Sequence, residues 1–205
     1  MKRTFVIVLA CTAILFSACK KKGTQDVKLG DTPEAVAENL DYSKAENIVK
    51  LYKITDSLNR IGKADFAKMQ LFLDNALTYA EKNPNDTISP HFMLYSGIFQ
   101  MQLAFSNPDE TTQKELAFKA IDILNQILTS YPKYKNGDYC YFYKGQIYEN
   151  LHRSSDAENE YRELVHHYPN SQLGKSTKTY LQSQGYEKSA EQLWEEVKKK
   201  EKKAK

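Results

Sequence analysis

Two stretches of this chain repeat one apolar pattern at an interval of 37 residues, and this repeat limits the possible folds more than any other feature. The first stretch is AIDILNQILTSYP (residues 120–132), and the second is AENEYRELVHHYP (residues 157–169). Apolar or aromatic residues recur at i, i+4 and i+7, which places them on one face of an α-helix. The last residue of each stretch is a proline, which ends the helix. The sequence therefore predicts a helical unit that occurs at least twice.

Each repeated helix follows another amphipathic helix that carries a glycine near its middle. In the later unit, Tyr141, Gly145 and Tyr148 keep helical spacing, and the polar residues 151–156 form a turn before the second helix. The small residues Gly145 and Ala157 would allow the two helix backbones to approach closely. The sequence here predicts a helical hairpin.

An earlier hairpin has the same order but is longer. Residues 91–105 are almost uncharged and hold Gly97 in the position of Gly145. The chain from Gly97 to Pro132 is eleven residues longer than the chain from Gly145 to Pro169. We therefore expect an insertion in the turn and the early second helix of this hairpin.

Helical spacing extends to both sides of these two hairpins. Ser43 and Glu46 have the spacing of a capping box, and apolar residues then recur up to Gly62. A partner helix starts near Phe66, so that a first hairpin is expected. Beyond Pro169 we expect a shorter helix at residues 172–184, followed by a last helix that leads into a lysine run. Sustained period-two alternation, the signature of strands, occurs nowhere after the N-terminal segment.

The later hairpin resembles a tetratricopeptide (TPR) repeat, a family built on a 34-residue helical hairpin. Lys144 departs from the usual leucine of that pattern. The resemblance implies an all-α fold, a TPR-like stack of about three helical hairpins with a C-terminal capping helix and an extra basic helix. It implies a stacked domain at residues 43–185 and a C-terminal helix with a lysine-rich tail at residues 186–205. The positions that match are Tyr141, Gly145, Tyr148, Ala157, Tyr161 and Pro169.

The N-terminus has the order of a bacterial export signal. Lys2 and Arg3 precede a twelve-residue apolar run, which as a helix would rise about 18 Å and is too short for a bilayer core of roughly 30 Å. The run ends in FSAC (residues 16–19), which resembles a lipobox, although Phe16 stands where leucine is commoner. The resemblance implies a signal peptide at 1–18, a lipid on Cys19, and a tether up to residue 42. The alternative is an ordinary secretory peptide that is cleaved before an unmodified Cys19.

The charge distribution argues against a nucleic-acid partner. Without Lys2, Arg3, the six terminal lysines and Glu201, the chain carries 21 basic and 25 acidic residues. A nucleic-acid-binding domain would carry its basic residues on the folded surface. The terminal lysines favour a solvated tail, with contact to anionic lipid or peptidoglycan as the alternative.

No pattern in the sequence predicts a catalytic residue, a metal site or a cofactor. His166 and His167 are adjacent, so on a helix their side chains point about 100° apart, whereas one ion is bound by residues at i and i+3 or i+4. Cys140 stands among tyrosines and phenylalanine, which is typical of a buried thiol. The carboxylates alternate with lysines along polar helix faces. We therefore expect a protein that is not an enzyme.

The TPR resemblance also implies a binding groove along the first helix of each hairpin. An apolar groove is typical of a site for a protein or peptide partner. The alternative is that the first hairpin or the N-terminal segment covers these side chains. The implied groove residues are His91, Leu94, Ile98, Met101 and Gln102 from the second hairpin, and Tyr139, Phe142, Gln146, Glu149 and Asn150 from the third.

In overall plan the chain resembles TPR lipoproteins of the bacterial envelope, such as those of the outer-membrane assembly complex and the Tol–Pal system. That resemblance implies a non-catalytic scaffold that binds an envelope protein or peptide and serves outer-membrane assembly or maintenance. Lys20, in place of an aspartate after the cysteine, implies lipid anchoring in the outer membrane, and the absence of acidic residues there favours the periplasmic face. The alternative is a helical periplasmic protein that binds a small ligand or acts as an enzyme.

Overall fold

The computed structural model describes residues 40–184, which form seven α-helices and no β-strand. This part of the protein is all-α, as the apolar spacing predicts. Residues 1–18, Cys19 and residues 186–205 lie outside the described part, together with most of the predicted tether. The helices are α1 (Ala45–Arg60), α2 (Phe66–Lys82), α3 (Ser89–Ser106), α4 (Glu110–Ser130), α5 (Gly137–Asn150), α6 (Ser154–His167) and α7 (Gln172–Ser183).

The helices pack in the order in which they occur in the chain. Each helix from α1 to α6 contacts its successor, while α3 also contacts α5 and α5 also contacts α7. Short connections join α1 to α2, α3 to α4 and α5 to α6, so these helices form three hairpins. Within residues 40–184, none of the helices combines the length and the apolar character that crossing a membrane requires.

The mid-helix glycines lie in close contact with the second helix of their hairpin. In the third hairpin, a Cβ atom added to Gly145 would come within 2.7 Å of the Cδ1 and Cζ atoms of Tyr161, and closer still to Cε1. In the second hairpin, a Cβ atom added to Gly97 would lie 2.9 Å from Cδ2 of Leu124. Leu124 and Tyr161 occupy equivalent positions of the sequence repeat. The repeat therefore encodes the same close helix contact twice, and we call this contact the glycine seam: Gly97 against Leu124, and Gly145 against Tyr161.

The eleven additional residues of the second hairpin do not lengthen its turn, which corrects part of the sequence prediction. Three residues connect α3 to α4, and three connect α5 to α6. Beyond its glycine, α3 continues for four residues more than α5 does. Ala120 on α4 and Ala157 on α6 are equivalent positions of the sequence repeat, and α4 has seven more residues before this alanine than α6 has. The insertion therefore extends both helices of the hairpin at the end where they are connected.

The expected capping box at Ser43 does not form. The Ser43 hydroxyl donates to Oδ1 of Asp41 at 2.6 Å, and α1 begins at Ala45 with Lys44 in the N-cap position. The same Oδ1 atom of Asp41 also accepts from the Ser43 main-chain N–H at 3.1 Å. This N–H is the donor that Glu46 would bind in a capping box, so Asp41 takes the place of Glu46.

A buried ion pair joins α5 to α6. The Nζ atom of Lys144 lies 2.8 Å from Oε2 of Glu160, and the two side chains are 9% and 16% exposed. The lysine that departs from the TPR pattern therefore lies in the interior, where a glutamate of the partner helix balances its charge. The attraction between the two charges offsets part of the cost of desolvating them, so that removal of either partner would leave an uncompensated buried charge.

Candidate functional site

An open cleft of about 370 Å³ lies beside the C-terminal ends of α1, α3 and α5. We call it the amide cleft, because four of its lining residues carry side-chain carboxamides. Its volume is within the range of small ligand sites. The lining residues are Asn59, Ala64, Phe66, Met69, Met101, Gln102, Phe105, Ser106, Gln146 and Asn150.

The carboxamides come from three different helices. Asn59 lies in the last turn of α1, and its Nδ2 donates to Oε1 of Gln102 on α3 at 3.1 Å. On α5, the Nδ2 atom of Asn150 donates to the main-chain oxygen of Gln146 at 2.8 Å. A carboxamide has two donor hydrogens and an acceptor oxygen, so each of these side chains retains hydrogen-bonding capacity for a partner.

A second cleft of about 260 Å³ adjoins the amide cleft, and we call it the flanking cleft. Phe66 and Ser106 line both clefts, and the Phe66 side chain, at the start of α2, is 47% exposed. Together with the apolar residues that line the two clefts, this exposed ring contributes to a contiguous apolar surface, which is the kind of surface that partners contact. The flanking cleft is lined by Phe66, Gln70, Leu103, Ser106, Asn107, Pro108 and Leu116.

Four of the ten predicted groove residues line the amide cleft: Met101, Gln102, Gln146 and Asn150. The prediction that Leu94 and Phe142 line an open groove is wrong, since they are only 2% and 8% exposed. Helix α3 is apolar nearly all round and packs against α2, α4 and α5, so Leu94 is enclosed. Phe142 contacts the buried Tyr161 ring, with ring centroids 6.3 Å apart.

The other four predicted groove residues lie outside both clefts. His91 is half-buried and hydrogen-bonds through Nδ1 to the Tyr134 hydroxyl at 2.9 Å, and burial lowers the pKa of its imidazole. The exposed Glu149 accepts a hydrogen bond from the Tyr180 hydroxyl at 2.6 Å, which links α5 to α7. Ile98 and Tyr139 are half-buried and pack against the central apolar core. These residues therefore contribute mainly to packing between helices.

The clefts are also lined by residues that the TPR resemblance does not predict. The first hairpin supplies Asn59, Phe66 and Met69, and the insertion in the second hairpin supplies another part of the wall. The four additional residues of α3 are 103–106, of which Leu103, Phe105 and Ser106 line the clefts. In the sequence, the only sign of this part of the wall is that the second hairpin is eleven residues longer than the third.

The cysteine, histidine and aspartate side chains that could be considered for catalysis do not line the clefts. Cys140 is a free, fully buried cysteine, and burial raises the pKa of its thiol to about 12, so it remains protonated at neutral pH. His167 stacks on Tyr141 and lies 3.2 Å from Glu163, while Asp138 is buried at the start of α5. Burial raises the pKa of Asp138, and hydrogen bonds with Ser171 and the N–H of Tyr139 oppose that rise.

Among residues 40–184, no three His, Cys, Asp or Glu side chains are grouped so that they could hold a metal ion. Comparisons of the chain with protein-family models, with curated proteins and with solved structures found no significant match. The geometry of the clefts is therefore the basis for interpreting their function.

Proposed function

We propose that this chain is a non-catalytic scaffold of TPR-like helical hairpins that binds an envelope protein or peptide. In this proposal a lipid on Cys19 holds the protein at the periplasmic face of the bacterial outer membrane, where it serves assembly or maintenance of that membrane. The observation that carries the binding function is the meeting of four predicted groove residues with the exposed ring of Phe66 in one open cleft.

The packing of the helices supports the TPR-like interpretation. Consecutive helices contact one another, and the first helices of the second and third hairpins, α3 and α5, also contact each other. In a stack of repeated hairpins each unit covers one face of its neighbour, and ligands bind along the surface that the first helices form. The amide cleft lies on three such first helices, α1, α3 and α5.

The nature of the cleft supports a protein or peptide partner. Met101, Phe66 and Phe105 provide flexible or aromatic apolar surface, which adapts well to peptide side chains. The cleft is open to solvent at Phe66, so that a chain longer than the cleft can extend from it.

A photo-crosslinking experiment in living cells tests the binding function. A photoreactive phenylalanine analogue is placed at Phe66 in the full-length chain, and the matched control carries the analogue at Phe118. Phe118 is also an exposed phenylalanine, 39% exposed on α4, but it lines neither cleft. We expect the Phe66 probe to form a discrete adduct with an envelope protein and the Phe118 probe to form none.

Two results would contradict the proposed function. One is the absence of any protein adduct at Phe66 in cells that express the chain at its natural level. The other is the same set of adducts at Phe66 and Phe118, because this would indicate non-specific proximity. Mass spectrometry of the excised adduct identifies the partner and the crosslinked peptide.

A further inference from the structure

We infer that the two clefts bind an extended polypeptide segment with uncharged, apolar side chains, and that they recognise it mainly through its main chain. This inference rests on the proposed function, since it specifies the chemistry of the partner that the scaffold binds. It combines three observations on the clefts: their lack of charge, their carboxamides and their position at helix C-terminal ends.

The first observation is the lack of charge. Ten residues line the amide cleft and seven line the flanking cleft, and none of them is Asp, Glu, Lys, Arg or His. Charged residues make up 27% of the whole chain. A charged side chain of a partner would lose hydration in these clefts without gaining a counter-ion, which is unfavourable. The clefts therefore select uncharged side chains.

The second observation is the number of carboxamides. Asn59, Gln102, Gln146 and Asn150 line the amide cleft, and Gln70 and Asn107 line the flanking cleft. A carboxamide presents a donor and an acceptor with the same geometry as a peptide group. A helical partner already satisfies its own N–H and C=O groups, whereas an extended segment leaves them available. Carboxamides on several helices therefore favour an extended partner.

The third observation is the position of the amide cleft. Helices α1, α3 and α5 end at Arg60, Ser106 and Asn150, close to the residues that line it. Several of the last carbonyl groups of these helices accept hydrogen bonds from N–H groups of the turns that follow, and the aligned peptide dipoles still give each C-terminal end a partial negative charge. Such an end disfavours carboxylates and attracts N–H donors and cations, and a main-chain N–H group meets this preference without the cost of desolvating a charged side chain.

The charges of the undescribed parts of the chain argue against most of them as the occupant. Residues 20–39 include eight charged residues and residues 186–205 include twelve. Only residues 4–18, in the predicted leader, form a long uncharged apolar segment. A peptide of residues 4–18 therefore belongs in the experiment as a competitor.

The experiment selects peptides from a random 12-residue phage-display library on the purified full-length chain in detergent. The most enriched sequence is synthesised in three fluorescent forms: the parent peptide, a form with alternate main-chain nitrogens methylated, and a form with one central apolar residue changed to aspartate. Binding is measured by fluorescence anisotropy. N-methylation alters the main chain, where it removes N–H donors, and leaves the side chains unchanged, so it tests recognition of the main chain.

We expect the parent peptide to be uncharged and apolar at its centre. Each lost hydrogen bond weakens binding by a factor of roughly 2 to 12, so the N-methylated form should bind at least about 10-fold more weakly. The aspartate form should also lose at least about 10-fold, because its carboxylate is desolvated without a counter-ion. The peptide of residues 4–18 should compete less well than the parent peptide.

Matched variants locate the effect on the protein. The double variant Gln102→Met with Gln146→Met removes two carboxamides and keeps similar side-chain length, and we expect it to weaken parent binding about 10-fold. Gln126→Met is the control, since Gln126 is an exposed glutamine on α4 that lines neither cleft. It should change binding less than about 2-fold. Circular dichroism melting curves establish that each variant is folded.

Several results would overturn the inference. These are charged residues at the centre of the selected peptides, equal binding of the N-methylated form, stronger binding of residues 4–18 than of any selected peptide, or no enrichment at all. If the double variant is folded and binds the parent peptide normally, the carboxamides do not recognise the main chain. An adduct at Phe66 in cells combined with any of these results would leave the scaffold function intact and refute only the partner chemistry.

Discussion

Substitution of Gly145 by alanine tests whether the close helix seam of the third hairpin is required for stability. An added Cβ atom would lie within 2.7 Å of three atoms of the Tyr161 ring, a distance at which one of the two groups must move. Tyr161 is 4% exposed, and its ring is enclosed by Phe142 and Tyr180, with centroids 6.3 and 5.6 Å away. A rigid ring in such surroundings has little space into which it can shift.

Two opposing contributions, helix propensity and overpacking, determine how much Gly145→Ala changes the free energy of unfolding. Alanine is favoured over glycine within a helix by about 1 kcal/mol. Overpacking a well-filled interior costs about 1–3 kcal/mol, and the enclosed ring places Gly145 at the upper end of that range. We therefore expect Gly145→Ala to lower the free energy of unfolding by about 1–2 kcal/mol.

The equivalent position in the second hairpin provides an internal comparison. There the added Cβ atom would meet the flexible side chain of Leu124 at 2.9 Å. Because a leucine side chain adjusts more easily than a tyrosine ring, the two contributions nearly cancel. Gly97→Ala should therefore change the free energy of unfolding by less than about 0.5 kcal/mol.

Urea unfolding followed by circular dichroism measures both variants, and a double-mutant cycle with Tyr161→Leu assigns the cause. Leucine is the residue that the other hairpin carries at this position, Leu124. In the Tyr161→Leu background, Gly145→Ala should cost about 1 kcal/mol less than in the wild-type background. Equal costs for Gly145→Ala in both backgrounds, or equal stabilities of the two glycine variants, would refute the assignment to the tyrosine ring.

Three further predictions concern other parts of the chain. Lys144→Met leaves Glu160 unpaired and should lower the free energy of unfolding by about 2–4 kcal/mol, and adding Glu160→Ile should restore most of it, as urea unfolding will show. Cys19→Ser should release the protein from membranes in a salt wash, because a lipid on Cys19 is the proposed anchor, and retention would contradict that anchor. A chain that ends at Val197 should melt within about 2 °C of the full-length chain, since the removed lysine-rich tail has almost no apolar surface to bury, and a larger drop would show that the tail packs.

The sequence predicted the helices well because their signals are local. Apolar spacing, prolines and polar turns located α3, α4, α5 and α7 within two residues of their observed ends, whereas α6 begins at Ser154, inside the predicted turn. Local signals failed where a nearby group competed, as Asp41 does for the Ser43 hydroxyl. They also failed where burial depends on several elements at once, as it does for Leu94, which helices on several sides of α3 enclose.

The candidate site was harder to predict because most of it does not belong to the repeat. Positions that the two hairpins share, such as Gly97 with Leu124 and Gly145 with Tyr161, form the seams that hold each hairpin together. The TPR resemblance therefore predicted cleft residues on α3 and α5. It did not predict that Phe66 and the additional residues of α3 lie beside them. Those contacts depend on how the first hairpin packs against the second, which no local pattern encodes.

The form of the insertion explains why the second hairpin gains cleft walls without losing its seam. Four residues make slightly more than one helical turn and seven make almost two, so the chain leaves α3 and enters α4 on nearly the same sides as in the third hairpin. A three-residue connection therefore serves both hairpins. The added turns carry Leu103, Phe105 and Leu116 beyond the seam, to a level where the third hairpin has no counterpart. The clefts are thus an addition to the repeat, and substitutions that remove their walls should leave the glycine seams intact.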